Sequence, residues 1–192
     1  MSVSRIDQGR RRWLAALNGK HHQAALTVFM FVVLAHWAEH VAQAWQIWAF
    51  HRPRPQARGV FGAFFPVLVS SEWLHYGYAL VMLVGLWMLR GGFVGRARRF
   101  WGLALMIQVW HHFEHLLLLG QAVTGVYLFG AAVPTSVLQL AFPRVELHLF
   151  YNAVVFIPMV IAVALHMRPT PAEYAEMTCS CRRVGQAVPV AA

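Results

Sequence analysis

Charge is scarce in this chain. Asp, Glu, Lys and Arg together make up 12% of its 192 residues, against roughly a quarter in ordinary soluble domains. Acid is scarcer still, with seven carboxylates against sixteen Lys and Arg. Cysteine is limited to Cys179 and Cys181, two residues apart near the C-terminus. That spacing argues against a structural disulfide, as does the cytoplasmic setting inferred below for this tail. Hydrophobic residues are abundant, at 59%. Long apolar runs at about 24–50, 71–89, 100–121 and 145–167 each approach the roughly 20 helical residues needed to cross a bilayer. The expected fold class is an all-α integral membrane protein with a four-transmembrane-helix bundle. Pro158 falls within the fourth run, where membrane helices tolerate proline with a kink.

The positive charge follows the flanks of these runs. Arg5, Arg10, Arg11, Arg12 and Lys20 precede the first, and Arg90, Arg96, Arg98 and Arg99 separate the second from the third. Arg168, Arg182 and Arg183 follow the fourth, while Arg52, Arg54, Arg58 and Arg144 fall in the two other connections. Cytoplasmic flanks collect Lys and Arg. The expectation is a multi-pass plasma-membrane protein with both termini cytoplasmic and lipid as its surroundings, not a nucleic-acid binder. The first apolar run continues past Ala35 to about Phe50 without a convincing cleavage site, so it does not read as a signal peptide. The organisation expected is a basic cytoplasmic segment over 1–23, a transmembrane domain over 24–168 and a flexible cytoplasmic tail over 169–192.

The chain also repeats itself. HWAEH from His36 aligns with HHFEH from His111, FGAFFP from Phe61 with FGAAVP from Phe129, and LHYGYALV from Leu74 with LHLFYNAV from Leu147. The order is the same in both halves. The unit is helix, outer loop, helix, spanning about 24–92 and 100–168. Two crossings per unit insert both copies the same way, giving parallel helix-loop-helix repeats about an axis along the membrane normal.

Four of the seven acids fall one per span: Glu39, Glu72, Glu114 and Glu146. Histidine accompanies each: His36 and His40, His75, His111 with His112 and His115, and His148. Ionisable groups in a span are costly and face the bundle interior where they mark function. With the N-terminus inside, Glu39 and Glu114 lie about 20 Å along outward-running helices, by the 1.5 Å rise per residue. The clusters on the two inward-running helices lie near their starts. All four then share one layer in the outer half of the membrane. On the first helix His36, Glu39 and His40 share a face, and on the third His111, Glu114 and His115 do. Gln43, Gln46, Gln108, Tyr78, Tyr151 and Asn152 extend these polar seams. His112 matches Trp37 in the other repeat, so its place in the layer is less certain.

Imidazole and carboxylate in one layer suit iron, zinc or copper. The expected metal ligands are His36, Glu39, His40, Glu72, His75, His111, Glu114, His115, Glu146 and His148, around one or two ions, with iron preferred. Glu39 and Glu114 would bridge ions or orient histidines, and Glu72 and Glu146 would act as ligands, proton relays or gates. The expected activity is oxidation or reduction of a lipid-soluble substrate or quinone, with an electron-donor protein or a second copy of the chain as partner. The arrangement is analogous to di-iron helix bundles, but the spacing differs. Three other functions fit parts of the pattern. Histidine pairs could hold b-type haem. H-x-x-E-H could serve a zinc hydrolase, with Glu39 or Glu114 as base. A polar seam could carry ions in a small transporter or metal carrier. The bland alternative is that buried Glu and His simply satisfy one another.

Other residues read as background. Trp73 and Trp110 lie near the layer, but aromatic residues are ordinary at membrane interfaces. His21, His22 and His166 are expected to be solvated near the cytoplasmic ends, and His51 to be a loop residue. The Cys-Ser-Cys stretch reads as an incomplete thiolate site for a soft metal, a lipidation point or an incidental feature of the tail.

Overall fold

The computed structural model describes residues 2–182, and every element among them is helical. Helix α1 runs over Ser2–Asn18 and α2 over His22–Trp48. One-turn helices α3 (Phe61–Phe64) and α4 (Pro66–Val69) occupy the first connection. Helix α5 covers Glu72–Leu89, α6 Gly95–Thr124 and α7 Arg144–Met167, and the short α8 covers Pro171–Glu176. The four long helices coincide with the four apolar runs of the sequence. Helix α7 continues through Pro158.

Local chemistry explains the boundaries. The Ser71 hydroxyl accepts from the Trp73 N–H and starts α5. Helix α6 stops at Gly125, whose φ of 70° lies in the left-handed region that glycine adopts without strain. Thr170 and Glu173 form a capping box on α8.

Helix α6 packs closely against both α5 and α7, whereas α2 touches α5 and α7 more sparingly. At one end of the bundle the core is apolar, with Phe29, Leu86, Trp101 and Met159 buried. The Trp101 indole N–H donates to the Leu86 carbonyl at 2.8 Å. Burial is otherwise inverted. Glu114, His40, His115, His148 and Gln108 are inside, while Phe31 is 72% exposed and Met106 68%. Among the described residues two helices, His22–Trp48 and Arg144–Met167, are by length and composition long and apolar enough to cross a membrane. Glu72, His75, Tyr76 and Tyr78 open α5, and α6 carries Arg96, Arg98 and Arg99 before its WHHFEH cluster.

The α2–α5 and α6–α7 connections are tied down by the same residue type at equivalent positions. The Gln46 amide donates to the Gly59 carbonyl at 3.1 Å and its oxygen accepts from the Gly59 N–H at 2.9 Å. Gln121, 75 residues on, donates to the Thr135 carbonyl at 2.9 Å and accepts from the Thr135 N–H at 3.2 Å and the Leu128 N–H at 2.9 Å. A primary amide can both donate and accept, so it can pair with an unpaired loop peptide as a neighbouring strand would. The FGAFFP and FGAAVP stretches differ in conformation. Phe61–Phe64 is α-helical, whereas Phe129 adopts a φ of 52° in a 3₁₀ turn.

The tail read as flexible from composition is folded as far as it is described. The Glu173 carboxylate takes the Arg96 backbone N–H at 2.9 Å and the Arg96 guanidinium through two bonds of 2.9 Å. Met177, Cys179 and Cys181 are buried. Residues 183–192, including Arg183, lie outside the described residues.

Replacing Gln121 with leucine strands three backbone groups. It is expected to lower unfolding free energy by about 2–3 kcal/mol, and Gln46→Leu by about 1–2 kcal/mol, from the cost of unsatisfied backbone groups. Thermal unfolding of the purified variants measures both. A second prediction concerns pH. The Arg96 guanidinium holds the Glu173 carboxyl well below the usual carboxylate range. The pair therefore contributes docking stability above that range and loses it as pH falls toward the depressed value. Pepsin cleavage of the tail should rise with acidification below about pH 4.5. Glu173→Gln should abolish that dependence, leaving a tail cleaved readily at every acid pH.

Candidate functional site

Six imidazoles from four helices meet in one layer. On α2 the His36 and His40 ring centroids are 4.4 Å apart, and on α6 those of His111 and His115 are 4.6 Å apart. Within each pair the Nε2 atoms approach closely, at 3.0 Å and 3.2 Å. A spacing of four residues stacks two side chains on one helix face, which is why both pairs form. His75 of α5 and His148 of α7 fill the space between. His148 lies 5.5 Å from His40, 5.7 Å from His75, 6.0 Å from His111 and 5.3 Å from His115.

Several rings are held by their outer nitrogen. His75 Nδ1 donates to the Ser71 carbonyl at 2.9 Å, and His148 Nδ1 to the Arg144 carbonyl at 2.9 Å. His40 Nδ1 donates to the Gln43 side-chain oxygen at 2.8 Å. Each bond puts the proton on Nδ1 and leaves a lone pair on Nε2, the tautomer of a ring prepared to ligate through Nε2. The His148 Nε2 is buried with no hydrogen-bond partner, and so are the Nδ1 atoms of His111 and His115. Stranding polar atoms in this way is costly unless a ligand satisfies them. Tyr78 stacks on His36 at 3.5 Å, and Tyr151 packs against His111 at 4.3 Å while accepting from the Trp110 indole at 2.7 Å. His112 instead faces Tyr76.

The four glutamates find other partners. Glu39 accepts from the Val60 N–H at 3.1 Å, the Phe61 N–H at 2.7 Å and the Gly62 N–H at 3.4 Å. Gly59, with φ of 72°, makes room for it, since a Cβ there would lie 2.2 Å from the Glu39 carboxylate. Glu114 accepts from the Leu138 N–H at 3.1 Å. Glu72 is paired with Arg144 and Glu146 with Arg54. The carboxylates thus anchor the loops and ends around the histidine layer.

Two spaces adjoin the rings. A gap of about 20 Å³ borders His36, His75, His111 and His115, enough for a water or an ion and far too small for a porphyrin. A cavity of about 320 Å³ lies between α2 and α5, where apolar Val32, Val69 and Leu74 meet His36, His40 and His75. Phe29 packs against Gly85 so closely that a Cβ would meet its ring at 2.2 Å. Beyond that contact Tyr78 stacks on His36, and the cavity lies beside them.

A second cluster lies near the opposite end of α2. His22, His166, Cys179 and Cys181 present ligand atoms all within 4.8 Å of one another, so this group could hold a metal ion. The expectation that His22 and His166 are solvated is corrected here: they are 0% and 2% exposed. The Cys-Ser-Cys stretch, incomplete alone, is completed by two histidines brought from the ends of α2 and α7. Cys179 Sγ lies beside His166 Nε2 and Cys181 Sγ beside His22 Nδ1. Sequence spacing gives little sign of this group, because His22 is 159 positions from Cys181.

Comparison with known protein families, characterised proteins and solved structures returns no match.

Proposed function

We propose that the chain is a four-span membrane protein whose histidine layer binds one or two redox-active transition-metal ions and acts on a lipid-soluble substrate such as a quinone. The carrying observation is the convergence of six imidazoles from four helices, with the inner nitrogen of His148 buried and unpartnered. An all-imidazole set suits iron, copper and zinc. Iron or copper would supply one-electron chemistry, while Gln43 and the Ser71 and Arg144 carbonyls hold the rings in the ligating tautomer.

Four spans are supported by surface character. Helices α5 and α6 pack beside α7 and present Val81, Val84, Met106, Val109 and Phe113 outward. Such a surface, wrapped around buried histidine and glutamate, belongs in hydrocarbon. The cluster then lies in the outer half if both termini are cytoplasmic. The lipophilic substrate is supported by the cavity between α2 and α5, which joins apolar residues to His36, His40 and His75. The chemistry fits a ring that hydrogen-bonds to imidazole and packs on aliphatic groups.

Purified protein is expected to carry iron or copper near one or two atoms per chain. His40→Ala and His115→Ala should each lose most of it. Unchanged content in both variants would refute the site. Filling the cavity separates binding from metal: Leu74→Trp should weaken binding of a short-chain quinone by about tenfold or more through steric exclusion, with metal content retained. Undiminished quinone affinity would remove the cavity from the account.

A further inference from the structure

We infer that His22, His166, Cys179 and Cys181 form a tetrahedral zinc site that clamps the C-terminal tail onto the ends of the bundle. Its location sets it apart from the histidine layer. His22 and His36 are fourteen residues apart on α2, about 21 Å by the helical rise.

The spacings fit the ion. Zn–S bonds of about 2.3 Å and Zn–N bonds of about 2.0–2.1 Å in tetrahedral geometry give sulfur–nitrogen edges of about 3.6 Å. Here Cys179 Sγ lies 3.4 Å from His166 Nε2, and Cys181 Sγ lies 3.5 Å from His22 Nδ1. All four residues are buried or nearly so, the most exposed being Cys181 at 9%. Two thiolates and two neutral imidazoles form a closed set with no open position, which is the structural type of zinc site. Binding releases the thiol protons to solvent as both cysteines ligate as thiolates, and no electron moves.

The surroundings orient the donors. His22 Nε2 donates to the Leu89 carbonyl at 3.2 Å, so the lone pair is on Nδ1, the atom nearest Cys181. Gly92 leaves room for that ring, since a Cβ there would come within 2.3 Å of it. Phe93 packs on both histidines, at 5.3 Å and 4.8 Å. Between the cysteines, Ser180 joins the tail to α2: its N–H donates to the Gly19 carbonyl at 2.9 Å, and its hydroxyl accepts from the Gln23 N–H at 3.0 Å. The start of α2, the end of α7 and the tail thus meet at one point.

The test uses the full chain, purified under reduction. Added Co²⁺ should give the thiolate-to-cobalt absorption of a tetrahedral sulfur site at one equivalent, displaced by Zn²⁺. Zinc analysis should show one atom per chain, absent from the Cys179→Ser/Cys181→Ser variant, and chelation should speed proteolysis of the tail by tenfold or more. His115→Ala should leave the cobalt–thiolate band intact, so failure of the histidine layer and failure of this site are told apart. Gly92→Ala should weaken cobalt binding by crowding His22. The inference falls if cobalt gives no thiolate band with the wild-type chain, if the double serine variant retains full zinc, or if copper(I) occupies the thiolates instead. The wild-type titration reads the donors even if the serine variant does not fold.

Discussion

An imidazole removed from water must find a partner for each nitrogen, and six of them in one layer set the terms for the rest of this molecule. The Ser71 and Arg144 carbonyls and the Gln43 side chain take the outer nitrogens of His75, His148 and His40. Glu39 takes three loop N–H groups and Glu114 takes one, so both carboxylates are tied to the connections. Gln46 and Gln121 repeat the gesture one turn and more beyond. The same polar residues that would be a liability in an apolar bundle thereby close one of its ends. Among the ring nitrogens of the layer, His148 Nε2 and the Nδ1 atoms of His111 and His115 stay buried and unpartnered.

The duplicated hairpin does not give a symmetric molecule. His36 with His40 and His111 with His115 are near copies, and Tyr78 and Tyr151 lie against equivalent rings. Packing departs from that symmetry at α2. Helix α6 lies flush against α7, whereas its counterpart α2 meets α5 at Phe29 and Gly85 and through the His36–Tyr78 stack, and leaves a cavity beside the histidines. Two equal half-sites would suit a purely structural layer. One half-site opened toward an apolar exterior suits a site that admits a lipophilic molecule, and that asymmetry is the physical basis of the proposed chemistry.

Much of this was legible in the sequence because helices write their faces at fixed spacing. The four long helices follow the apolar runs, and the i, i+4 histidine pairs follow directly from HWAEH and HHFEH. The glutamates were harder. Spacing puts Glu39 beside His36 and His40, but its direction depends on a loop 21 to 23 residues away that supplies better donors. Likewise Arg54 reaches Glu146 from a connection whose path no periodicity describes, and Arg144 reaches Glu72 from the start of α7. The tail was the least legible. Its few polar and small residues suggest mobility, yet Ser180, Glu173 and the two buried cysteines bind it to the starts of α2 and α6 and the end of α7.

The central claim is that imidazoles from all four long helices hold metal together. Anomalous scattering from crystals of the intact protein, measured across the iron and copper edges, tests it most directly. The account predicts one or two peaks among His36, His40, His75, His111, His115 and His148. Crystals with full metal content and no anomalous peak among those rings would contradict it.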